Sequence, residues 1–331
     1  MDHEVGIGCI GLNGHQIHHV AASLPRARLA AFAGVSAARF QEALSPEERD
    51  GMVWHEASSD LLARDDLNLV SLCHDRRADQ AADANAALEA GKNVLAEKPM
   101  ATTQPDLDAL RRVHAAVDQR LWTMLPMVYD PGFLGMKKIV QDGVIGEVVQ
   151  VYALKSYPYH DSRPQEHEVD GGLLMQAGIH AVSLIGHVTG RTFEEVFAQE
   201  TATGNPKSGE LQMGATVACR LEGGALATVL CNYCNPPGIG YHGNDQIRVH
   251  GTKGMIELVD GFTRRRLVAE NRASESFPDV PPVRTYPQDM IDAVLDGSPT
   301  LLTEADGFHF TEVVIRAQES VGEARPLHVA G

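Results

Sequence analysis

The stretch Val5-Gly6-Ile7-Gly8-Cys9-Ile10-Gly11-Leu12-Asn13-Gly14-His15-Gln16 decides how the chain begins to fold. Its first six residues are an apolar run of strand length, and the glycine-punctuated residues after them read as a turn. Residues 14–24 then space Ile17, Val20, Ala21 and Leu24 along one helical face. Strand, glycine turn and helix in that order start a nucleotide-binding unit, in which turn amides and a helix N-terminus receive a pyrophosphate. A literal G-x-G-x-x-G occurs at Gly6, Gly8 and Gly11, but that register is a decoy, because too little chain precedes Gly6 to form the feeding strand. The register that starts at Gly11 has a proper strand before it. It puts Asn13 and Gln16 in the second and third glycine places. Asn13 tolerates the positive φ of such a turn, whereas Gln16 implies looser helix–strand packing.

Further along, residues 28–33, 53–55, 67–73 and 93–96 read as strands and residues 78–90 and 104–119 as helices, the first of them ending at Gly91. That alternation predicts a parallel, doubly wound Rossmann sheet. From about Gly146 the pattern changes. Residues 147–155, 196–202, 212–221, 225–231, 246–249 and 255–258 read as strands, with helices mainly at 173–189 and 304–320. This is the signature of an α+β domain on an antiparallel sheet. The expected division is a dinucleotide-binding domain over residues 1–126 and a substrate-binding and oligomerisation domain over 127–331. The proline-rich stretch 271–287 reads as a surface loop.

Bulk properties narrow the function. The 331 residues are 44% hydrophobic and 22% charged, a globular profile long enough for two cores. The net charge of −16, from 28 basic and 44 acidic side chains, repels a phosphate backbone and argues against nucleic acid. No apolar run approaches the ~20 residues of a membrane span, and Asp2, His3 and Glu4 stand where an export signal carries basic residues. Five cysteines make no disulfide framework, so a cytoplasmic protein is expected. Cys231 and Cys234 lie three apart at the end of a strand, on opposite faces, and read as ordinary small residues rather than metal ligands. Arg264-Arg265-Arg266 reads as a solvated strand face. His15, His18 and His19 read as cofactor-loop or surface residues, and no metal is expected.

The segment Ala87-Leu88-Glu89-Ala90-Gly91-Lys92-Asn93-Val94-Leu95-Ala96-Glu97-Lys98-Pro99-Met100 resembles the A-L-x-A-G-K-x-V-x-x-E-K-P stretch of the Gfo/Idh/MocA oxidoreductases. Further similarity follows in family order at residues 143–147, 171–180, 251–254 and 303–307, over nearly the whole chain. The Gly11-Leu12-Asn13 start, and Asp75-Arg76-Arg77 where most members carry T-P-N, are similar to a variant subgroup. The resemblance implies a Rossmann domain followed by an open-faced antiparallel sheet domain, assembled as dimers or tetramers. It implies hydride transfer between NAD or NADP and a sugar, cyclitol or related polyol. It also places the cofactor on the loop from Gly11 through Leu12, Asn13, Gly14 and His15 to Gln16, on Cys73, His74 and Asp75, and on Glu97 and Lys98. Where an acidic ribose-binding residue normally ends the second strand there is none. Ser36 and Arg39 stand there instead, suited to a 2′-phosphate, which leans the cofactor towards NADP; Arg39 also suits a plain surface helix.

Lys98 ends a buried strand before Pro99, where its ammonium can polarise an oxygen that gains or loses charge. The resemblance places His180 where the family carries its catalytic histidine, and an unperturbed imidazole can move a proton near neutral pH. Gln176, one helical turn earlier, stands where many members carry Asp; it can hold a hydrogen bond but cannot titrate. Tyr157, Tyr159, His160, Asp161, His167 and Asp170 are candidates to replace that carboxylate. With Arg163, Tyr157 and His160 also form a polar wall suited to a hydroxyl-rich substrate. Met127 and Val128 stand where family members often carry arginine, removing one polar contact. Two alternatives remain open beside the dehydrogenase. One is a cofactor-retaining elimination, epimerisation or glycosidase-type reaction without net redox change. The other is a non-catalytic ligand-binding regulator on the same fold.

Overall fold

The computed structural model describes residues 4–15, 17–21, 23–270, 272–274 and 276–330. The chain divides into two compact units, one of residues 1–124 with 284–308, the other of residues 125–283 with 309–331. The sequence reading changes domain at 126/127; the units change at 124/125, and residues 284–308, expected with the second domain, pack with the first.

The first unit is built on six strands, β1 (Val5–Ile10), β2 (Ala27–Ala33), β3 (Val53–Trp54), β4 (Leu69–Leu72), β5 (Asn93–Glu97) and β6 (Leu121–Met124), in the order β3-β2-β1-β4-β5-β6. All five pairings are parallel. The strand order reverses at β1 and β4, the switch point where a doubly wound sheet opens a crevice beyond its strand C-termini. β1, β4 and β6 are buried at every residue, as a sheet covered on both faces requires. Gly6 and Gly8 lie inside β1, where the decoy register would need a turn.

The second unit carries nine strands: β7 (Val148–Ser156), β8 (Phe193–Thr201), β9 (Gly214–Leu221), β10 (Leu226–Asn232), β11 (Asn244–Gly251), β12 (Gly254–Val259), β13 (Arg264–Ala269), β14 (Arg272–Ser274) and β15 (Leu327–His328). Their order is β14-β13-β12-β11-β7-β10-β9-β8-β15. The sheet is antiparallel except where β10 runs parallel to β7. The alternating burial of β9 and β10 shows one face covered and the other open. The Ile179–Thr189 helix packs against β7, β10 and β11 on the covered face. Among the described residues, one helical stretch, His167–Thr189, has the length and composition of a membrane span, and 94% of its apolar window is buried in the fold. Its place against the sheet makes it a core helix.

Among the helices the sequence reading passed over are two of eleven residues each. Pro131–Gln141 and Tyr286–Asp296 are helical, each with proline in its first turn. Proline is tolerated there because the first amides of a helix have no intrahelical partner. The proline-rich stretch 271–287 therefore includes β14 and the start of a helix. Arg264-Arg265-Arg266 does lie on a strand, and Arg264 and Arg265 pair with Asp260 and Asp279 at its ends.

Gly6 tests the packing of β1. A Cβ there would lie 1.9 Å from the Asp66 carbonyl oxygen, which is backbone and cannot rotate away. Gly6→Ala is expected to cost about 3 kcal/mol, the upper part of the overpacking range, and to lower the thermal midpoint by several degrees. Gly143→Ala, at φ +72° with open space around it, should cost only about 1 kcal/mol.

Candidate active site

In the first unit the site is organised around a buried carboxylate. Glu97 closes β5 with no exposed surface. Its Oε2 accepts the His15 backbone N–H at 2.6 Å, and both carboxylate oxygens lie 3.0 Å from His15 Nδ1. Lys98 Nζ stands 3.8 Å from Oε1. Burial alone would raise the Glu97 pKa, but His15, Lys98 and Arg77 outweigh it and hold the group at about 2 instead of 4.5. Gly14, at φ +114°, lets the loop lie on this carboxylate, because a Cβ would come 2.5 Å from its Cδ and Oε2. The loop is also held from the other side. The Asn13 amide donates to the Cys73 carbonyl at 2.8 Å, and Arg77 reaches the Asn13 carbonyl at 3.4 Å.

The Lys98 backbone is fixed by a neighbour that sequence reasoning passed over. Gln80 Nε2 donates to the carbonyls of Glu97 and Pro99, at 2.5 and 3.2 Å, while Arg77 donates to its Oε1 at 2.8 Å. The Lys98–Pro99 peptide is cis. Lys98 itself is buried. Leu12 and Cys73 are also buried, and the Cys73 thiol is pushed well up by desolvation and the Glu97 charge. His74 pairs with Asp83 at 3.2 Å.

Beyond β2, Ser36 caps the Ala37–Ala43 helix by accepting the Arg39 amide at 3.2 Å. Both terminal nitrogens of the Arg39 guanidinium are held by the Asp75 carboxylate. Gln16 lies outside the described residues.

The second unit gathers aromatic, imidazole and cationic groups round Tyr157, just past β7. The His180 ring meets Tyr157 edge-on at 6.2 Å, and His242 lies tilted at 5.0 Å. His160 stacks on His242 at 5.9 Å. Lys155 stands 4.6 Å from the Tyr157 centroid and Arg163 5.8 Å. Lys155 is closed into a buried pair with Asp245 at 2.8 Å, and its Nζ lies 3.3 Å from the Met127 sulfur. Burial lowers the Lys155 pKa and raises that of Asp245, each against the pull of the other. A cleft of about 430 Å³ is lined by Pro126, Met127, Tyr129, Asp130, Asp245 and Phe262.

His180 begins the Ile179–Thr189 helix and is fully buried, with a π-helical turn, Leu174–Gly178, just before it. Gln176 sits in that turn and donates to the Asp170 carbonyl. The α-helical i, i+4 spacing that would stack Gln176 on His180 is therefore loosened. π-turns recur at functional sites.

The oxidoreductase family with an NAD-binding Rossmann fold matches residues 5–124, and the Gfo/Idh/MocA C-terminal domain matches residues 133–257. The chain belongs to the Gfo/Idh/MocA family. That family is one of oxidoreductases with an NAD-binding Rossmann domain. It is 26% identical to an inositol 2-dehydrogenase of Gluconacetobacter diazotrophicus, over 98% of this chain and 95% of that protein. A solved Thermotoga maritima structure described as an oxidoreductase superposes with a TM-score of 0.89 at 26% identity, covering 98% of this chain and all of that one. An aldose-aldose oxidoreductase of Caulobacter crescentus, solved with glycerol, shares the fold at 20% identity and a TM-score of 0.83, over 98% of this chain and all of the other.

Within this Gfo/Idh/MocA chain, the structure brings Gly11, Asn13, Gly14, His15, Glu97 and Lys98 into one cluster. It brings Tyr157, His160, Arg163 and His180 into another. Tyr233, Gln80, His242 and the Lys155–Asp245 pair were missed from sequence. Gln80, Tyr233, His242 and Asp245 lie 17 or more residues from Glu97, Arg163, Tyr157 and Lys155 respectively, and no local pattern marks the Lys155 pairing with Asp245.

Glu97 gives a pH test. Because its folded pKa is depressed, its stabilisation is present above about 4.5 and is lost as pH falls through about 2. Glu97→Gln should lose about 3 kcal/mol near neutral pH. Urea unfolding should show that deficit shrinking as the pH is lowered through this window.

Proposed function

We propose that this protein oxidises a secondary alcohol of a sugar, cyclitol or related polyol, or reduces the matching ketone, with NAD(P). The observation that carries the reading is the buried Glu97, which fastens the Gly11–His15 loop on one side and neighbours Lys98 on the other. The loop fits a dinucleotide: it follows β1 at the switch point, and Gly14 turns a bare backbone towards Glu97, leaving the Asn13–His15 segment uncluttered. Bound NAD(P) supplies the hydride acceptor. In the oxidative direction a substrate C–H bond breaks with its electron pair leaving as hydride, and the O–H proton passes to the chain. Lys98 holds the substrate oxygen and favours its developing negative charge, because its own charge is fixed beside Glu97 in a buried setting. His180 takes the proton. Gln176 keeps the turn before it in place. Tyr157, His160 and Arg163 bind substrate hydroxyls and polar groups.

For the cofactor, Ser36 and Arg39 are already engaged, by the helix cap and by Asp75. A 2′-phosphate would have to take Arg39 from a carboxylate that offers a matched fork. This supports NAD over the NADP suggested by the sequence. The open face of the second sheet, with Val149 and Leu226 about half exposed, supports a homodimer or homotetramer. The similarity to inositol 2-dehydrogenases supports a cyclitol among the substrates. The reduced cysteines suit the cytoplasm.

The deciding experiment is calorimetric titration with NAD(H) and NADP(H), followed by a polyol panel read by the absorbance of the reduced nicotinamide. Dinucleotide binding with turnover on any member supports the reading, and a protein that binds neither dinucleotide sinks it. Lys98→Met and His180→Ala should each lower kcat about a hundred- to ten-thousand-fold while dinucleotide binding survives. A non-catalytic regulator would have no turnover to lose. Asp75→Asn, which releases Arg39, should raise the NADP/NAD ratio of kcat/KM about tenfold or more. An unchanged ratio would remove Arg39 from cofactor choice.

A further inference from the structure

The second unit contains a guanidinium whose charge no carboxylate answers. Among the described residues Arg163 forms no ion pair, although the chain has 44 acidic side chains against 28 basic ones. Its Cζ lies 3.7 Å from the centroid of the Tyr233 ring, and Tyr233 is buried. One terminal nitrogen donates to the Pro158 carbonyl at 3.3 Å, and Nε is buried without a hydrogen-bond partner. The contrast with Lys155 is direct, since that cation is neutralised by Asp245 at 2.8 Å. Arg163 is instead braced on an aromatic ring with most of its donors unspent.

Stacking covers the faces of a guanidinium but leaves its N–H edges, which lie in the plane of the fork. A lone hydroxyl uses one such donor. A planar carboxylate uses two in parallel and supplies the missing charge. Asp161, two residues away, and Asp170, whose charge reaches Tyr233, weigh against a ligand with several negative charges, such as a diphosphate. Arg163 and His180 both stand beside Tyr157, at 5.8 and 6.2 Å from its centroid. An acid group held by Arg163 therefore belongs to the same molecule that meets His180.

We propose that Arg163, braced on Tyr233, is a specificity-determining carboxylate anchor, and that the substrate is a polyhydroxy acid rather than a neutral polyol. The inference rests on the dehydrogenase reading and names the substrate class for that same site. The carboxylate is a spectator: the C–H and O–H bonds of a distant carbinol break as already described, and the acid group leaves unchanged.

The test uses matched pairs, an acid and its neutral counterpart, such as gluconate with glucitol and glucuronate with glucose. Wild type, Arg163→Met and Arg163→Lys are compared, with thermal midpoints to show that each variant folds. For the wild type, kcat/KM should favour the acid of a pair by about 10- to 100-fold, the worth of a charged hydrogen-bonded pair. In Arg163→Met that ratio should collapse towards unity, mainly through KM for the acid. Arg163→Lys, which keeps the charge but loses the fork, should fall between. Wild-type turnover that favours the neutral member, or a ratio that Arg163→Met leaves unchanged, overturns the anchor while the dehydrogenase stands. Calorimetric titration with gluconate and glucitol reads the anchor without turnover. Acid-selective binding that is lost in Arg163→Met supports it even if no pair is oxidised, in which case the dehydrogenase reading falls alone. Equal binding of both compounds, or binding of neither, overturns it.

Discussion

The first unit depends on one buried charge. A carboxylate without solvent costs several kcal/mol unless hydrogen bonds and opposite charge replace the water it has lost. Glu97 has both, from the His15 amide and ring and from the cations of Lys98 and Arg77. Those partners come from three separate places along the chain, so satisfying one side chain fixes the end of β5, the loop after β1 and the segment after β4 together. Gly14 follows from the same requirement, because any side chain there would occupy the volume of the carboxylate. Gln80 then ties the carbonyls on both sides of Lys98, so the lysine backbone inherits the precision of the glutamate.

The second unit solves its polar problem differently. Its covered face holds a neutralised pair, Lys155 with Asp245, beside a ring system in which Tyr157, His160, His180 and His242 face one another. Rings are stiff and lose little conformational entropy when buried, so they make good walls for a ligand that brings its own hydrogen bonds. Cations beside those rings gain from their faces what they lose in hydration. His242 is disfavoured as a cation by partial desolvation and by its neighbours His160, Arg163 and Lys155. The region thus keeps its positive charge on Lys155 and Arg163, of which only the first is locally neutralised.

How much of this was legible in sequence follows from the range of the forces involved. β1 and the turn after it could be read because an apolar strand and a glycine turn are local patterns, and the failure of the Gly6 register was equally local. The Glu97-Lys98-Pro99 block could be recognised, but the reason Glu97 is needed lies 82 residues away at His15. The helix at Pro131–Gln141 was obscured because Asp130, Pro131 and Gly132 suggest a turn. They are instead a cap whose Asp130 side chain accepts the Phe133 amide at 3.0 Å. The π-turn at Leu174–Gly178 leaves no compositional trace, since the segment is buried on nearly every face and a shift of helical register changes no apolar stripe. Tyr233 and His242 meet Arg163 and Tyr157 only through the pairing of β7 with β10 and β11.

The departure at Gln176 bears directly on the chemistry. An aspartate beside a catalytic imidazole lowers the free energy of the imidazolium and so makes the histidine a stronger base. An amide can orient the ring but adds no charge, and here it is turned towards the Asp170 carbonyl across the π-turn. Lys155 and Arg163, both near Tyr157, further disfavour a second cation in the neighbourhood. If the substrate carries the carboxylate that Arg163 lacks, its charge also offsets the nearby cations. The ligand would then supply, on binding, part of the electrostatic support that the chain omits at Gln176.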